Sequence, residues 1–441
     1  MATSSRSTTQ QHLHRDLLGA RAITDELFQI VREDALYERP IAERHRILFY
    51  VGHLEAFDWN LFRDWLFVRP METSAFDKLF AFGIDPVGGG LPEDQPEDWP
   101  SLPEVREYIG SLRARIDEAL EDGDFSSPGM DGRAQAETLL QVAMEHRLMH
   151  AETLAYMLHR LPYERKIRQV QTATTEDQVE NGLIEIPAGR ATLGLPRGTV
   201  QFGWDNEFET LAVDVPRFRI QKYMVSNAEF LTFLEDGGYE AREFWSAEDW
   251  QWKQQNEICH PAFWKRDGRC WLYRGMFEEQ PLPLNWPVYA SHAEASAYAQ
   301  WSKQALPTEA QWHRAAYGTP QGEAREYPWG DAAPSASFGN FDFARWDPVP
   351  VNAHPANESA FGVAGLLGNG WEWTSTVFGP FPGFAAFPFY PGYSANFFDN
   401  RHYVMKGGSS RTASRLLRRS FRNWFQPHYP YVYVGFRCVS E

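Results

Sequence analysis

Apolar residues recur at helical spacing through the first third of the chain. Leu17, Leu18, Ala22, Ile23, Leu27, Ile30 and Val31 line one face of a helix expected over Asp16 to Asp34. The same period predicts a second helix over about Ala42 to Phe67, a third over about Pro103 to Leu120, and a fourth over about Gly132 to Leu161, stopped by Pro162. A Pro-, Gly- and acid-rich stretch, Asp85 to Pro103, reads as the long connection before the third helix. Four long amphipathic helices of this kind pack as a four-helix bundle, expected over residues 1–165.

The texture then changes. Lys166 to Glu180 is polar and lacks an apolar period, so residues 166–182 read as a linker. Beyond it come short β-like runs, brief helical patterns near Asn227 to Glu235 and His292 to Lys303, and frequent Gly, Pro and Trp. In Pro307-Thr-Glu-Ala310, Thr308 is placed to cap a further helix. Residues 183–441 are therefore expected to form a loop-rich α+β domain without a simple internal repeat. The whole chain is an α plus α+β protein of two domains, as its length of 441 residues also suggests.

Composition narrows the function. A formal net charge of −17 repels nucleic acid and anionic membrane surfaces, so neither is an expected partner. No apolar run is long enough for a transmembrane helix, and Met1 to Arg15 lacks the apolar core of a secretion signal. Cys259, Cys270 and Cys438 form no disulfide framework and no CxxC pair, which fits a reducing cytoplasm and structural roles for the thiols. Monomer and homodimer both remain open. The 17 Trp, 18 Tyr and 31 Phe point to aromatic-lined loops and an amphipathic pocket.

The candidate chemistry lies in the bundle. His146 and His150 stand four apart on the fourth helix, one turn from each other, on the face shared by Leu139, Val142, Ala143, Leu154 and Met157. Two imidazoles so placed can reach one metal ion. His53 lies mid-helix among apolar residues, beside a Gly52 that permits close packing. Three neutral imidazoles leave open positions on an octahedral metal, as in iron enzymes that bind substrate and dioxygen together. Catalytic zinc suits the same set. So does the plain alternative that the pair is a surface or satisfied core feature. Glu55 and Glu152 are candidates to hydrogen-bond the ligand imidazoles.

The second half resembles the formylglycine-generating-enzyme fold, a C-type-lectin-like architecture. It does so through Glu185-Ile-Pro-Ala-Gly189, Phe218 to Val225, Val225-Ser-Asn-Ala-Glu-Phe230, Asp236-Gly-Gly-Tyr239, Leu306-Pro-Thr-Glu-Ala-Gln-Trp312, Gly368-Asn-Gly-Trp-Glu-Trp373, Lys406-Gly-Gly-Ser409 and Gly435-Phe-Arg437. The first half resembles the DinB-like bundle. Together they have the layout of the EgtB-like sulfoxide synthases, which join a thiol oxidatively to C2 of hercynine. The resemblance implies Fe(II) held by His53, His146 and His150, with hercynine, a thiol or selenosugar, and O2 as small-molecule partners. It makes Tyr390 of Tyr390-Pro-Gly-Tyr393 a donor of a proton or hydrogen atom near the iron, and makes Tyr393 a holder of the histidine derivative. In Arg422-Asn-Trp424 it gives Asn423 a hydrogen bond to an end of hercynine and sets Trp424 against the trimethylammonium group. Without the resemblance, both tyrosines and Trp424 read as packing aromatics. The segment Gly408 to Arg419 has no cysteine, so the formylglycine-generating thiol pair is absent.

Departures from the family pattern bear on the donor. Where γ-glutamylcysteine-using members place an Asp and an Arg for the glutamyl group, this chain has Phe425 and Tyr429, and Gly83 to Pro100 has no Arg. Arg411, Arg415, Arg418 and Arg419 are possible replacements. Met149 stands where the family pattern has a Gln before the last ligand, a residue that the resemblance ties to a water-mediated substrate contact. An aromatic pocket suits the apolar face of a sugar, and the pattern, including Phe49-Tyr-Val-Gly-His-Leu-Glu-Ala-Phe-Asp-Trp59, resembles the selenoneine synthase (SenA) branch. Alternatives are a synthase using cysteine or γ-glutamylcysteine, a non-catalytic binding module, and a zinc or nickel thiol transferase.

Overall fold

The computed structural model describes residues 8–67, 74–81, 91–122, 132–169, 179–198 and 202–441. Parts of four expected features lie outside them: 1–7 of the polar N-terminus, 85–90 of the long connection, 83–90 of the Arg-free stretch and 170–178 of the linker. The chain divides into two compact units, Met1–Gln169 and Val170–Glu441.

The first unit is helical. It contains α1 (Thr8–Gln29), α2 (Ile47–Trp65), the short α3 (Ala75–Leu79), α4 (Leu102–Asp122) and α5 (Gly132–Arg160). The first helix begins well before the expected Asp16, because Leu13 as well as Leu17 is buried. It ends at Gln29, short of Asp34, and a 3-10 turn at Glu33–Ala35 follows. The second starts at Ile47 rather than Ala42. Helix α3 was not evident from the pattern; it is only five residues long and is held by a Ser74/Asp77 capping box. Helix α5 corrects the expectation of amphipathicity. From Leu139 to Leu158 nearly every side chain is buried, including Glu145, His146, Arg147 and His150. It is a central helix with polar residues turned inward, so its apolar period is diluted.

The second unit mixes small sheets and short helices. Strands β1 (Leu183–Ile186), β2 (Gly189–Leu193), β3 (Leu211–Val215) and β4 (Phe218–Gln221) precede helices α6 (Asn227–Glu235) and α7 (Ala247–Gln255). Strands β5 (Trp264–Asp267), β6 (Cys270–Arg274) and β7 (Glu279–Pro281) form an antiparallel sheet. Next come α8 (His292–Trp301), α9 (Glu309–Tyr317), β8 (Gly370–Val377), α10 (Gly392–Ala395), β9 (Tyr403–Gly408), β10 (Asn423–Phe425), β11 (Val434–Gly435) and β12 (Val439–Ser440). The four-stranded sheet runs β10-β9-β8-β11, with β11 parallel to β8, and a three-stranded sheet runs β1-β4-β12. As expected, Thr308 caps α9, accepting from the Gln311 N–H.

Several of the quoted motifs meet in the core. Arg437 forks onto Glu372 at 2.6 Å through both Nε and Nη2, and Trp312 Nε1 donates to the same carboxylate at 2.9 Å. Ile186, Phe218, Ile220, Trp312 and Leu366 surround the pair's neighbourhood as one apolar cluster. These motif residues hold β8 to the rest of the unit and are structural. Cys259 and Cys270 are exposed and Cys438 is buried, all three unbridged. Among the described residues no helix is long and apolar enough to cross a membrane.

Candidate metal centre and aromatic pocket

Three histidines converge inside the bundle. His53 from α2 and His146 and His150 from α5 each offer a ring nitrogen, and these atoms lie within 4.8 Å of one another. His146 Nε2 and His150 Nε2 face each other at 3.2 Å. Imidazole nitrogens bound about 2 Å from a common ion stand roughly 3 Å apart, so this spacing suits a shared metal. The carbonyl of Phe80 lies 2.7 Å from His53 Nδ1, which makes that nitrogen the donor and leaves Nε2 as the lone-pair atom.

Apolar rings wall the centre. Phe57 stacks on His146 with centroids 3.4 Å apart, and Phe49 stacks on His53 at 4.8 Å. Tyr50 lies 5.7 Å from His150. Gly52 explains how Phe80 comes so near: a Cβ there would meet the Phe80 ring at 2.6 Å. Burial therefore governs the titration of the trio. It lowers His53 to about 4, against a raising contribution from the Phe80 carbonyl, and holds His146 and His150 well below the ordinary imidazole value. All three are neutral donors at neutral pH, the form that metals bind.

Glu55 does not serve the imidazoles as expected. Its carboxylate accepts from Arg147 Nη1 at 3.0 Å and from Arg113 Nε and Nη2 at 2.9 and 2.7 Å. Three guanidiniums, Arg147, Arg113 and Arg21, keep it ionised against its burial. Asp58 completes the cluster, accepting from Arg147 Nη2 at 2.6 Å. The sequence reading missed Arg147 and Asp58. Charged residues at apolar-stripe positions beside His53 and His146 were the available signal. Glu152 is buried two residues beyond His150 on α5, and Met149 is half-buried.

In the second unit, Tyr390 and Tyr393 are neighbours across one turn, with ring centroids 5.6 Å apart. Tyr393 stacks on Trp204 at 3.9 Å and meets Trp424 edge-on at 5.4 Å. Trp424 in turn lies flat on Phe378 at 4.1 Å. The Ser394 hydroxyl donates to buried Asp205 at 2.6 Å, tying α10 to the 3-10 turn that follows Trp204. Asn423 Oδ1 accepts from the Trp424 N–H at 2.9 Å. Phe425 and Tyr429 stack on each other at 5.2 Å. Two of the arginines considered as replacements are already committed. Arg418 pairs with Glu207, and Arg411 lies 3.8 Å from the Trp346 ring centroid and donates to the Phe343 carbonyl. Trp204, Asp205 and Ser394 were not singled out from sequence, because Asp205 and Ser394 are 189 residues apart.

Comparisons with known proteins fit this division. Residues 16–154 match the DinB superfamily, and residues 169–441 match the sulfatase-modifying factor enzyme 1-like domain. The hercynine oxygenase of Mycolicibacterium smegmatis is 34% identical over 354 residues, 78% of this chain and 79% of that protein. That of Mycobacterium tuberculosis is 38% identical over 251 residues, 56% of this chain and 58% of its own length. Ergothioneine biosynthesis protein 1 of Neurospora crassa is 28% identical over 508 residues, covering 94% of this chain and 56% of that protein.

Proposed function

The chain belongs to the EgtB-like sulfoxide synthase family, and from this premise we propose that it holds one ferrous ion on His53, His146 and His150 and joins a selenosugar to C2 of hercynine. The observation that carries the metal reading is the convergence of three buried, neutral imidazole nitrogens from two helices. The donor set fits iron: neutral imidazoles with further coordination positions left to substrates. When bound, the ion supplies a centre that gathers hercynine, the chalcogen donor and dioxygen and lowers the cost of their encounter.

The protein's own residues have separable tasks. The Phe80 carbonyl selects the His53 tautomer, and Phe49 and Phe57 limit water beside the rings. Tyr390 donates a proton or hydrogen atom in the oxidative step, a task suited to a phenol that keeps its proton at neutral pH. Tyr393 holds the histidine derivative. The amide NH2 of Asn423 is the end that suits a carboxylate, since its oxygen is taken by the Trp424 N–H. Trp424 receives the trimethylammonium group.

The choice of donor rests on Phe425 and Tyr429. They stack as an aromatic pair where a glutamyl-binding Asp and Arg would be needed, and Arg411 and Arg418 are engaged elsewhere. Aromatic faces suit the apolar side of a sugar ring. Met149 likewise offers a thioether where a polar contact would stand. A cysteine- or γ-glutamylcysteine-using synthase is the second reading, favoured by the hercynine oxygenase relatives.

The test supplies anaerobically purified, iron-loaded protein with hercynine, oxygen and one donor at a time: selenosugar, cysteine or γ-glutamylcysteine. A selenium-containing hercynine adduct by mass, formed fastest with the selenosugar, is expected. Faster coupling of γ-glutamylcysteine would overturn the donor assignment, and absence of oxygen consumption with every donor would overturn the synthase reading.

A further inference from the structure

One carboxylate touches every long helix of the bundle. Glu55 on α2 accepts from Arg147 on α5 and Arg113 on α4, and lies 3.8 Å from Arg21 Nε on α1. Its side chain and those of Arg147 and Asp58 are at most 1% exposed. The cluster is interleaved with the histidines along both helices. Glu55 is two residues from His53, and Arg147 directly follows His146. Arg147 bridges three acceptors on α2: Glu55 at 3.0 Å, Asp58 at 2.6 Å and the carbonyl of Leu54, the residue after His53, at 3.0 Å. A planar guanidinium holding three acceptors admits one sliding position of α5 against α2.

We propose that Arg147, anchored by Glu55 and Asp58, is a positioning residue for the metal centre: it sets the register of α5 on α2, and so the separation of His53 from His146 and His150. This rests on the reading that the three histidines hold a metal. Apolar packing alone would tolerate small slides between helices, and a slide of one ångström is large against the spacing of ligands around an ion. A chain of ionic bonds at the ligand level resists such a slide, because each displaced partner would be left buried and unpaired.

Cobalt(II) is a suitable probe, since its visible absorption reports ligand geometry apart from turnover. Arg147→Lys keeps the positive charge but replaces two separated Nη donors in a planar fork by a single nitrogen on a flexible stem, and Asp58→Asn is a milder change at the same joint. Leu120→Ala opens a cavity in α4, more than one helical turn from Arg113, and serves as the control for destabilisation alone. We expect Arg147→Lys to bind cobalt roughly 10- to 100-fold more weakly with an altered spectrum. Asp58→Asn should lose several-fold, and Leu120→Ala should bind as wild type despite a lower Tm. Should Arg147→Lys yield no folded protein, Asp58→Asn decides. Wild-type affinity and spectrum in the folded cluster variants would overturn the inference, as would an equal loss in Leu120→Ala. Wild-type protein that takes up no cobalt would instead remove the metal reading on which the inference stands.

Discussion

The two candidate regions, one in each unit, are built from different chemistry. The centre of the bundle is polar: three histidines, Glu55, Asp58 and Arg147 lie inside α2 and α5 with directed bonds between them. The neighbourhood of Tyr390 is a pile of rings, Trp204 on Tyr393 and Trp424 on Phe378, with its polar ties, such as Ser394 to Asp205 and Arg418 to Glu207, set around the stack. Directed bonds specify position sharply and fail abruptly when a partner is lost. Stacked rings specify position through shape and yield gradually. The contrast suits a division in which the bundle holds a small ion and the second unit holds larger organic substrates.

The largest effect that would break this comparison concerns the ligands. His146→Ala or His150→Ala should abolish stoichiometric iron retention, read by metal analysis after anaerobic purification, while far-UV circular dichroism stays helical. Retained iron would remove that residue from the centre. Next comes Tyr390→Phe. It deletes one hydroxyl from the aromatic region and should fold normally, yet lower the coupling rate by roughly 100-fold or redirect the product. An unchanged rate and product ratio would show the hydroxyl to be idle.

The titration of the trio sharpens the contrast. Because His53 is lowered from 6.5 to about 4 by burial, the unfolded chain takes up its proton first as pH falls. The metal-free protein should therefore be fully stabilised by this group above pH 6.5 and lose that stability as pH falls towards 4, by about 3 kcal/mol from His53 alone. His146 and His150 shift in the same direction and add to the trend. Denaturant melts of metal-free protein at pH 7 and pH 5 should show the loss, and His53→Gln should reduce it. A smaller effect is expected at Gly52. Gly52→Ala would place a methyl 2.6 Å from the Phe80 ring, whose backbone carbonyl orients His53. It should cost roughly 1–3 kcal/mol of stability and weaken metal binding. Wild-type affinity would show that Phe80 can move without consequence to the imidazole.

Some of this was legible along the chain because it is local. A four-residue spacing on a helix places His146 and His150 on one face whatever the rest of the protein does, and the Thr308 cap needs only Gln311. The polar linker and the change of texture after it are also local matters of composition. The role first expected of Glu55 shows where such reading stops. The sequence places a carboxylate near His53 but does not reveal that three arginines from other helices claim it.

By itself, then, the amino-acid order determined the presence of four long helices, the placing of His146 and His150 one turn apart, the aromatic residues at Phe425 and Tyr429, and the kinship to a family of synthases. Only the tertiary structure decided that His53 arrives opposite that pair, that Phe80 turns its imidazole, and that the middle of α5 is buried with Arg147 bonded to Glu55 and Asp58. The same holds for the stack of Tyr393 on Trp204, whose turn is tied to α10 by Asp205 and Ser394. The reason is physical. Periodicity and capping follow from bonds a few residues long, whereas the register of one helix on another depends on contacts whose partners are distant in sequence and are chosen only when the chain packs.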